Sequence, residues 1–351
     1  MCTSHDGVCE TTSVGVGESK LDSECDRGTL MTMITRRGVA LGLAATTLVS
    51  RPAMAQRRIV RLIVPAAPGG AIDVIGRLYA QRMAASLNES WIIENKAGAN
   101  NTIGAGEVAK AKPDGTTFLT NADIQIMARH VMRNVPYDPI ADFTPISRFA
   151  TSPLVLVGTA AKTPATLQEL ISAMKAEPDR FTFANSALGS MGHLATESFK
   201  RRIGAETLIV NYRGTAPALT DVLAGQVPLM VAPLGSALSY VEDGSMRAFA
   251  IMGRQRSPRL PAIPTADELG VTGLDFVLWY GLWGPKELAP DTVQHINAAV
   301  QTASKEPEVI DRLSALGAEP VTEDPATFAK FIQGEVERAT RVVQEAGIKP
   351  I

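Results

Sequence analysis

Cysteine is scarce in this chain and is confined to its start. The three cysteines among 351 residues are Cys2, Cys9 and Cys25, and all of them precede the end of a segment that we interpret as an export signal. The rest of the chain therefore offers no disulfide, no thiolate metal site and no cysteine nucleophile.

An excess of positive charge is lacking as well. The 34 Lys and Arg residues are balanced by 36 Asp and Glu residues, and the formal net charge is -2. Proteins that bind nucleic acid usually carry a basic excess, so we exclude nucleic acid as a partner. Aromatic residues are few, but 45% of the chain is hydrophobic, which at this length predicts a large core and two lobes. Because no metal-ligating or nucleophilic constellation stands out, we predict no metal and no cofactor.

Long hydrophobic runs are absent apart from one short run near the start. Residues 1–30 are polar, acidic and without periodicity, which predicts a disordered extension or a start codon placed too early. Residues 31–55 have the three parts of an export signal, namely Arg36-Arg37, an apolar run over 38–50, and Ala53-Met54-Ala55. The run is too short to span a bilayer. We predict cleavage after residue 55 and export to the periplasm by the Sec or twin-arginine route, with a membrane-anchored N-terminus as the alternative.

What the chain does contain begins with a strand, a loop and a helix over Arg58–Leu78. Ile59–Val64 is a β-branched apolar run, and apolar residues recur at helical spacing from Ala71 onward. The loop between them, Pro65–Gly70, ends in two glycines that let the chain turn with backbone N–H groups facing outward. A helix N-terminus presented in this way attracts an anion, although an ordinary turn between strand and helix has the same residues.

Strand and helix patterns continue to alternate, which predicts an α/β fold with a largely parallel sheet. Within this series Gly104–Ala109 matches the G-x-G-x-x-A dinucleotide fingerprint, and Asp123 follows at about the expected distance. The fingerprint needs its glycines directly after a strand, whereas here residues 96–102 intervene and the glycines fall inside the helical pattern. We therefore predict that this segment binds no nucleotide.

Two later loops repeat the construction of the first loop. Asn185–His193 and Tyr212–Thr215 each follow a strand, contain small residues and lead into a helix. Ser190 and His193 could serve as the nucleophile and base of a hydrolase, but the nucleophile elbow G-x-S-x-G is not met because Leu188 stands two positions before the serine. We therefore favour a helix-packing or loop-bracing role for His193.

Nearly the whole chain resembles one family. The shared segments lie in order from Arg58 to Ile351 and read R-L-I-V-P-x-x-P-G-G-x-x-D, P-D-G-T-T-F-L, Y-D-P-x-x-D-F-x-P-I, L-x-S-M-G-H-L, N-Y-R-G-T-A-P-A-L-T-D-V-L-A-G-Q-V, S-P-R-L-P-A-I-P-T, L-W-Y-G-L-W-G-P and L-G-A-E-P-V. This combination resembles the Bug family, the extracytoplasmic solute receptors of tripartite tricarboxylate transporters. The resemblance implies an α/β, two-lobed periplasmic binding protein of the type II-like, Venus flytrap form, with a mixed, largely parallel sheet in each lobe. It also implies that a small carboxylate binds between the lobes and is handed to membrane permease subunits.

The resemblance further implies which residues contact the ligand. Those that fall on the loops of the family are Gly69, Gly70, Asp73, Ser186, Gly189, Ser190, His193, Tyr212 and Gly214. To these we add Ala71, Asn121 and Thr215. Arg213 either clamps a ligand carboxylate or lies in solvent. We place lobe 1 at residues 57–156 and 278–351, and lobe 2 at residues 157–277.

Two segments depart from the family pattern and leave the ligand open. After the third predicted strand the family usually has small residues, whereas this chain has Asn121–Gln125, in which Asp123 would repel a polyanion unless a cation offsets it. Ala232–Gly235 stands where the family commonly has an Asp and a small polar residue. We predict a monomeric, non-catalytic receptor for a di- or tricarboxylate or an aromatic acid. A periplasmic serine hydrolase using Ser190 and His193, or a sensor that feeds a signalling partner, is the alternative.

Overall fold

The computed structural model describes residues 57–212 and 214–350. The predicted extension and export signal over residues 1–55 lie outside the described residues, and so does Arg213 with its two predicted roles. Within the described ranges, no helix combines the length and the apolar character needed to cross a membrane.

Strands and helices alternate along the described chain, as the sequence predicts. The strands are β1 (Ile59–Val64), β2 (Ser90–Asn95), β3 (Thr117–Ala122), β4 (Phe143–Thr159), β5 (Phe183–Asn185), β6 (Ile209–Asn211), β7 (Leu229–Pro233), β8 (Met246–Ile251), β9 (Val277–Pro285) and β10 (Glu319–Pro320). The α-helices are α1 (Ala71–Leu87), α2 (Thr102–Ala109), α3 (Ile124–Val131), α4 (Leu167–Ala176), α5 (Met191–Ile203), α6 (Thr215–Leu223), α7 (Leu234–Glu242), α8 (Pro290–Ala303), α9 (Pro307–Ala315) and α10 (Pro325–Ala346).

The sheet of the first lobe has the strand order β2-β1-β3-β9-β4, with β10 beside β4. β1 pairs in parallel with β2 and β3, whereas β9 runs antiparallel to β3 and β4. Because β1, β2 and β3 are parallel, their carboxyl ends meet at one edge of the sheet. The loops that follow these strands therefore lie side by side, at the edge where α/β sheets bind ligands.

β4 belongs to the sheets of both lobes. Its first part, up to Pro153, pairs with β9, and its last part, from Leu154, pairs with β7 and β8. In the second lobe β5 pairs in parallel with β6 and β7. The apolar pattern of the sequence indicates a strand only at Leu154–Val157, after the segment Phe143–Ser147, whereas β4 is continuous because β9 continues the hydrogen-bonded ladder through the more polar residues between them. The two-lobed α/β fold with a mixed sheet in each lobe is confirmed, while the boundaries at 57–156, 157–277 and 278–351 stay a prediction.

Apolar side chains pack into clusters on the faces of the two sheets. One cluster lies between the first sheet and helices α1, α8 and α9, and a second lies between the second sheet and helices α6 and α7. A third cluster joins Trp279 and Phe328 to Leu194 and Phe199 of α5. Because α10 packs against β4, α3 and α5, the two lobes share part of their core.

The dinucleotide fingerprint lies inside α2, where its glycines serve packing. A Cβ atom at Gly104 would lie 2.9 Å from the Cβ atom of Pro65 and 3.1 Å from the carbonyl oxygen of Lys96. A Cβ atom at Gly106 would lie 3.4 Å from the ring of Tyr137. The two glycines therefore let α2 approach its neighbours closely.

Candidate functional site

A cavity of about 1310 Å³ lies between the loops of the two sheets. Its walls are the segments that follow β1, β2 and β3 in the first lobe and β5, β6 and β7 in the second lobe. Among the described residues that line it, Asp123 is charged and none is Lys, Arg or His. A ligand in this cavity would therefore be bound mainly by backbone amides, hydroxyl groups, carboxamides and apolar side chains.

The predicted ligand-binding residues divide into two groups in the structure. Those that line the cavity are Gly69, Gly70, Ala71, Ser186, Ser190, Tyr212, Gly214 and Thr215. Those that are buried behind the lining are Asp73, Asn121, Gly189 and His193. Ligand contact by these residues stays a prediction, but the second group has clear partners inside the protein.

Asp73 holds the first-lobe loop in place. Its buried carboxylate accepts hydrogen bonds from the amide of Gly69 at 2.9 Å, from Nδ2 of Asn95 at 2.8 Å and from Nε of Arg77 at 2.9 Å. Burial acts to raise the pKa of Asp73, but the three donors outweigh burial and hold this pKa below its usual value. Gly69 has a φ of 81°, which glycine adopts without strain. The loop is thus fixed before α1 begins.

α1 begins without a side-chain cap. Its N-cap residue is Gly70, and the amides of Ala71, Ile72 and Asp73 have no acceptor among the described residues. Ala71 and Ile72 line the cavity. The unpaired N–H groups and the positive end of the helix dipole make this first turn a favourable place for an anion.

α5 begins differently, because two of its first three amides, those of Met191 and His193, are already bonded within the protein. The Oγ atom of Ser190 accepts a hydrogen bond from the amide of His193 at 3.3 Å, and the amide of Met191 donates to Oδ2 of Asp123 at 2.7 Å. Asp123 follows β3 of the other lobe, so this hydrogen bond joins the two lobes. The Asp123 side chain is nearly buried, with 2% of the residue exposed, and burial raises its pKa to about 7.

His193 braces its loop and cannot act as a base for Ser190. Its Nδ1 atom accepts a hydrogen bond from the amide of Gly189 at 3.0 Å, so the neutral ring carries its proton on Nε2, which lies 4.0 Å from Glu197. Burial, together with the charge of Lys200, lowers the pKa of His193 to about 4. The Ser190 hydroxyl lies 3.5 Å from Oδ1 of Asn185 and is not bonded to the imidazole. The geometry favours the loop-bracing interpretation over the hydrolase.

Tyr212 and Asn121 also use their polar groups within the protein. The hydroxyl of Tyr212 donates to Oδ2 of Asp221 at 2.6 Å, and burial together with this bond raises the pKa of Tyr212 to about 12. Oδ1 of Asn121 accepts from Nδ2 of Asn101 at 3.1 Å, and its Nδ2 donates to Gln125 at 2.9 Å. Tyr212 therefore lines the cavity with a hydroxyl that already has a partner, and Asn121 orders the segment just behind the wall.

The role of Asp123 at the start of α5 is missed by sequence reasoning. Asp123 and Met191 are 68 positions apart, and no periodicity relates them. The one signal in the sequence is Asp123 itself, a charged residue at a position where the Bug family usually has a small one.

Comparisons with known proteins agree with this geometry. Residues 75–348 match the family model described as the tripartite tricarboxylate transporter family receptor. Protein BugT of Bordetella pertussis is 34% identical over 318 residues, which cover 90% of this chain and 95% of BugT. The solved structure of the periplasmic binding protein BugD is 31% identical and has a TM-score of 0.75, with 84% of this chain and 99% of BugD covered.

Two further solved structures contain a bound acid. One is an R. palustris protein with adipate, which is 34% identical with a TM-score of 0.78 and covers 84% of this chain and 99% of its own. The other is MatC from Rhodopseudomonas palustris with bound malate, which is 32% identical with a TM-score of 0.73 and covers 82% of this chain and 99% of its own. From its fold, its loops and these matches, the chain belongs to the tripartite tricarboxylate transporter receptors, the Bug family, and is a binding protein rather than an enzyme.

Proposed function

We propose that this protein is a periplasmic receptor that captures a small carboxylate in the cavity between its lobes and delivers it to a tripartite tricarboxylate-type membrane transporter. The uncapped first turn of α1, which faces the cavity, is the observation that carries this proposal. Export through the signal at residues 31–55, by the Sec or twin-arginine route, belongs to the same proposal, as do a monomeric state and an encounter with permease subunits.

The first lobe supplies the main carboxylate site. One ligand carboxylate accepts hydrogen bonds from the open amides of Ala71 and Ile72, where the dipole of α1 also favours negative charge. The hydrogen bond from Gly69 to Asp73 keeps the preceding loop rigid, so little order is lost when the ligand binds. No positively charged side chain is required, because hydrogen bonds to a charged acceptor are stronger than those between neutral groups.

The second lobe supplies donors for the rest of the ligand. The helix α6 also lacks a side-chain cap at Gly214, and the amides of Thr215 and Ala216 have no acceptor among the described residues. Ser186 lines the cavity and its hydroxyl has no partner within the described part of the chain. When the lobes approach each other, water is excluded and these bonds become stronger.

Relatives support a carboxylate as the ligand class. The R. palustris protein and MatC hold adipate and malate, respectively, and both cover most of this chain. A thermal-shift and calorimetric screen of mono-, di- and tricarboxylates and aromatic acids tests the proposal. We expect at least one acid to bind, and the absence of any response would contradict the proposed function.

A single substitution tests the α1 site within that screen. Ala71→Pro removes one open N–H but keeps the helix, because proline is favoured at the first helical position and Gly70 already has φ -73° and ψ 164°, as residues before proline do. We expect the affinity for the acid to fall at least about tenfold, since a hydrogen bond to a charged group contributes roughly 1.5–3 kcal/mol.

Ala71→Ser, which keeps the N–H, is the matched control and should retain the affinity. Equal affinity in the two variants would show that the carboxylate binds elsewhere in the cavity.

A further inference from the structure

The three helices that begin at the cavity are not equivalent as anion sites. The first turns of α1 and α6 have amides without acceptors among the described residues, whereas the first amide of α5 donates to Asp123. The carboxylate of Asp123 thus occupies the position at α5 that a ligand carboxylate would otherwise take. It reaches this position from the opposite lobe, because β3 and β1 end at the same edge of the first sheet.

The charge of Asp123 is not neutralised by its surroundings. Arg338 of α10 lies within electrostatic range but is paired with Glu335, whose Oε2 atom is 2.6 Å from Nη2 of Arg338. Tyr280 of β9 is uncharged at neutral pH, since burial, with a contribution from Asp123, raises the pKa of its hydroxyl. His193 of α5 is neutral at this pH as well. Above about pH 7, where Asp123 is ionised, the described lining therefore presents one negative charge and no positive one.

The surface next to Asp123 is apolar. The lining side chains on α3, β9 and the loop before α5 include the apolar residues Ile124, Val131, Leu188 and Leu278, together with Tyr280, which adds one uncharged hydroxyl. A charged group placed against this wall would lose much of its hydration without gaining an oppositely charged partner. An alkyl chain or an aromatic ring would bury apolar surface there instead.

We propose that Asp123 determines ligand specificity by excluding a second carboxylate, so that the preferred ligand is a monocarboxylate with an apolar or neutral far end. This inference rests on the proposed function, because it assumes that the first carboxylate binds at α1. Since the Asp123 side chain is nearly buried and already bonded to Met191, it acts by repulsion and does not pair with a ligand cation. The protein thus discriminates against diacids through the repulsion between the Asp123 carboxylate and a second ligand carboxylate.

Calorimetry with chain-matched acids at pH 8 tests this inference, using hexanoate, adipate and 6-aminohexanoate, then benzoate and terephthalate. We expect the full mature protein to bind hexanoate or benzoate at least about tenfold more tightly than the matching diacid, a ratio that corresponds to roughly 1.4 kcal/mol. Asp123→Asn, which keeps an oxygen for the amide of Met191, should reduce this ratio to near unity by strengthening the diacid. Asp311→Asn, the same charge change at an exposed position of α9, should leave the ratio unchanged.

Each other outcome contradicts a specific statement. If the unmodified protein binds the diacids as tightly as the monoacids, or binds 6-aminohexanoate most tightly, the inference about Asp123 is wrong and the carboxylate receptor remains. If none of the acids in this set or in the wider screen binds, the proposed function fails and the inference fails with it. Asp123→Ser is a second variant in case Asp123→Asn does not fold, and a ratio that removal of the Asp123 carboxylate leaves unchanged would also contradict the inference.

Discussion

The first turns of α1 and α5 have the same construction but opposite hydrogen bonding. Each follows a strand and a loop of small residues with a glycine at positive φ, Gly69 before α1 and Gly189 before α5. At α1 the nearby carboxylate, Asp73, bonds to the loop and leaves the helix amides open. At α5 the nearby carboxylate, Asp123, bonds to the first helix amide itself. The comparison teaches that a helix N-terminus beside a cavity is an anion site only if the protein has not already supplied the anion.

The largest expected effect is on the free energy of unfolding, to which Asp123 and Asp73 contribute with opposite pH dependence. Burial, with a contribution from Glu335 and opposition from the Met191 amide and Arg338, raises the pKa of Asp123 to about 7 from an ordinary value of 3.8. A raised folded-state pKa means that the contribution of Asp123 to stability is full below about pH 4 and is lost as the pH rises to 7. At about 1.4 kcal/mol for each pH unit, the loss is on the order of 4 kcal/mol.

Urea unfolding of the protein and of Asp123→Asn from about pH 2 to pH 8 measures this loss. The protein should lose stability relative to the variant up to pH 7 and change little above it. Asp73→Asn provides the contrast, because the lowered pKa of Asp73 gives stability that is present above about pH 4 and lost as the pH falls below it. If the unfolding free energy varied with pH in the same way for the protein and both variants, the two carboxylates would not differ in their ionisation as we expect.

Substitution of Gly189 or Gly69 by alanine should give the next largest loss of stability. Alanine at Gly189 combines an unfavourable φ of 77° with a Cβ atom only 2.5 Å from Cγ1 of Val131, and strain plus overpacking should cost about 3 kcal/mol. Alanine at Gly69 has a similar φ but no atom within 4 Å of its Cβ, so backbone strain alone should cost roughly 1–2 kcal/mol. Chemical denaturation of both variants tests this order. A larger loss for Gly69→Ala would show that the α1 loop is the more constrained one.

The smallest effect concerns the side-chain cap of α5. Ser190→Ala removes the acceptor for the amide of His193 and should cost about 1 kcal/mol of unfolding free energy. The same change should not alter ester hydrolysis, because a binding protein has none to lose. Denaturation and an assay with a chromogenic ester measure the two quantities. Hydrolysis that is present in the protein and absent in Ser190→Ala would contradict the assignment as a binding protein.

The sequence predicts most of the regular structure because hydrophobic periodicity dominates it. The run Ile59–Val64 and the helical spacing from Ala71 are found almost residue for residue in β1 and α1. The helix α3, Ile124–Val131, is not predicted, although Ile124, Met127 and Val131 recur at helical spacing, because its 8 residues give that spacing only about two turns. The continuity of β4 is not predicted either, because its middle residues are held by strand pairing rather than by their own hydrophobicity.

The site is less predictable than the fold because its contacts join distant parts of the chain. The small residues of each loop are visible in the sequence, and eight of the predicted positions line the cavity. The supporting bonds of Asp73 to Asn95 and of Asp123 to Met191 depend on how the strands are ordered in each sheet. Sequence spacing carries no information about that order, so the difference between α1 and α5 becomes visible only in three dimensions.

The passage of β4 through both sheets has a mechanical consequence. A strand of 17 residues that is hydrogen-bonded to neighbours in both sheets resists lengthening, and its partners change at Pro153, which has no N–H to donate. One sheet can therefore pivot or twist against the other at this point, but it cannot slide away along the strand axis. In the proposed receptor, such a pivot would bring the starts of α1 and α6 together without sliding them past each other.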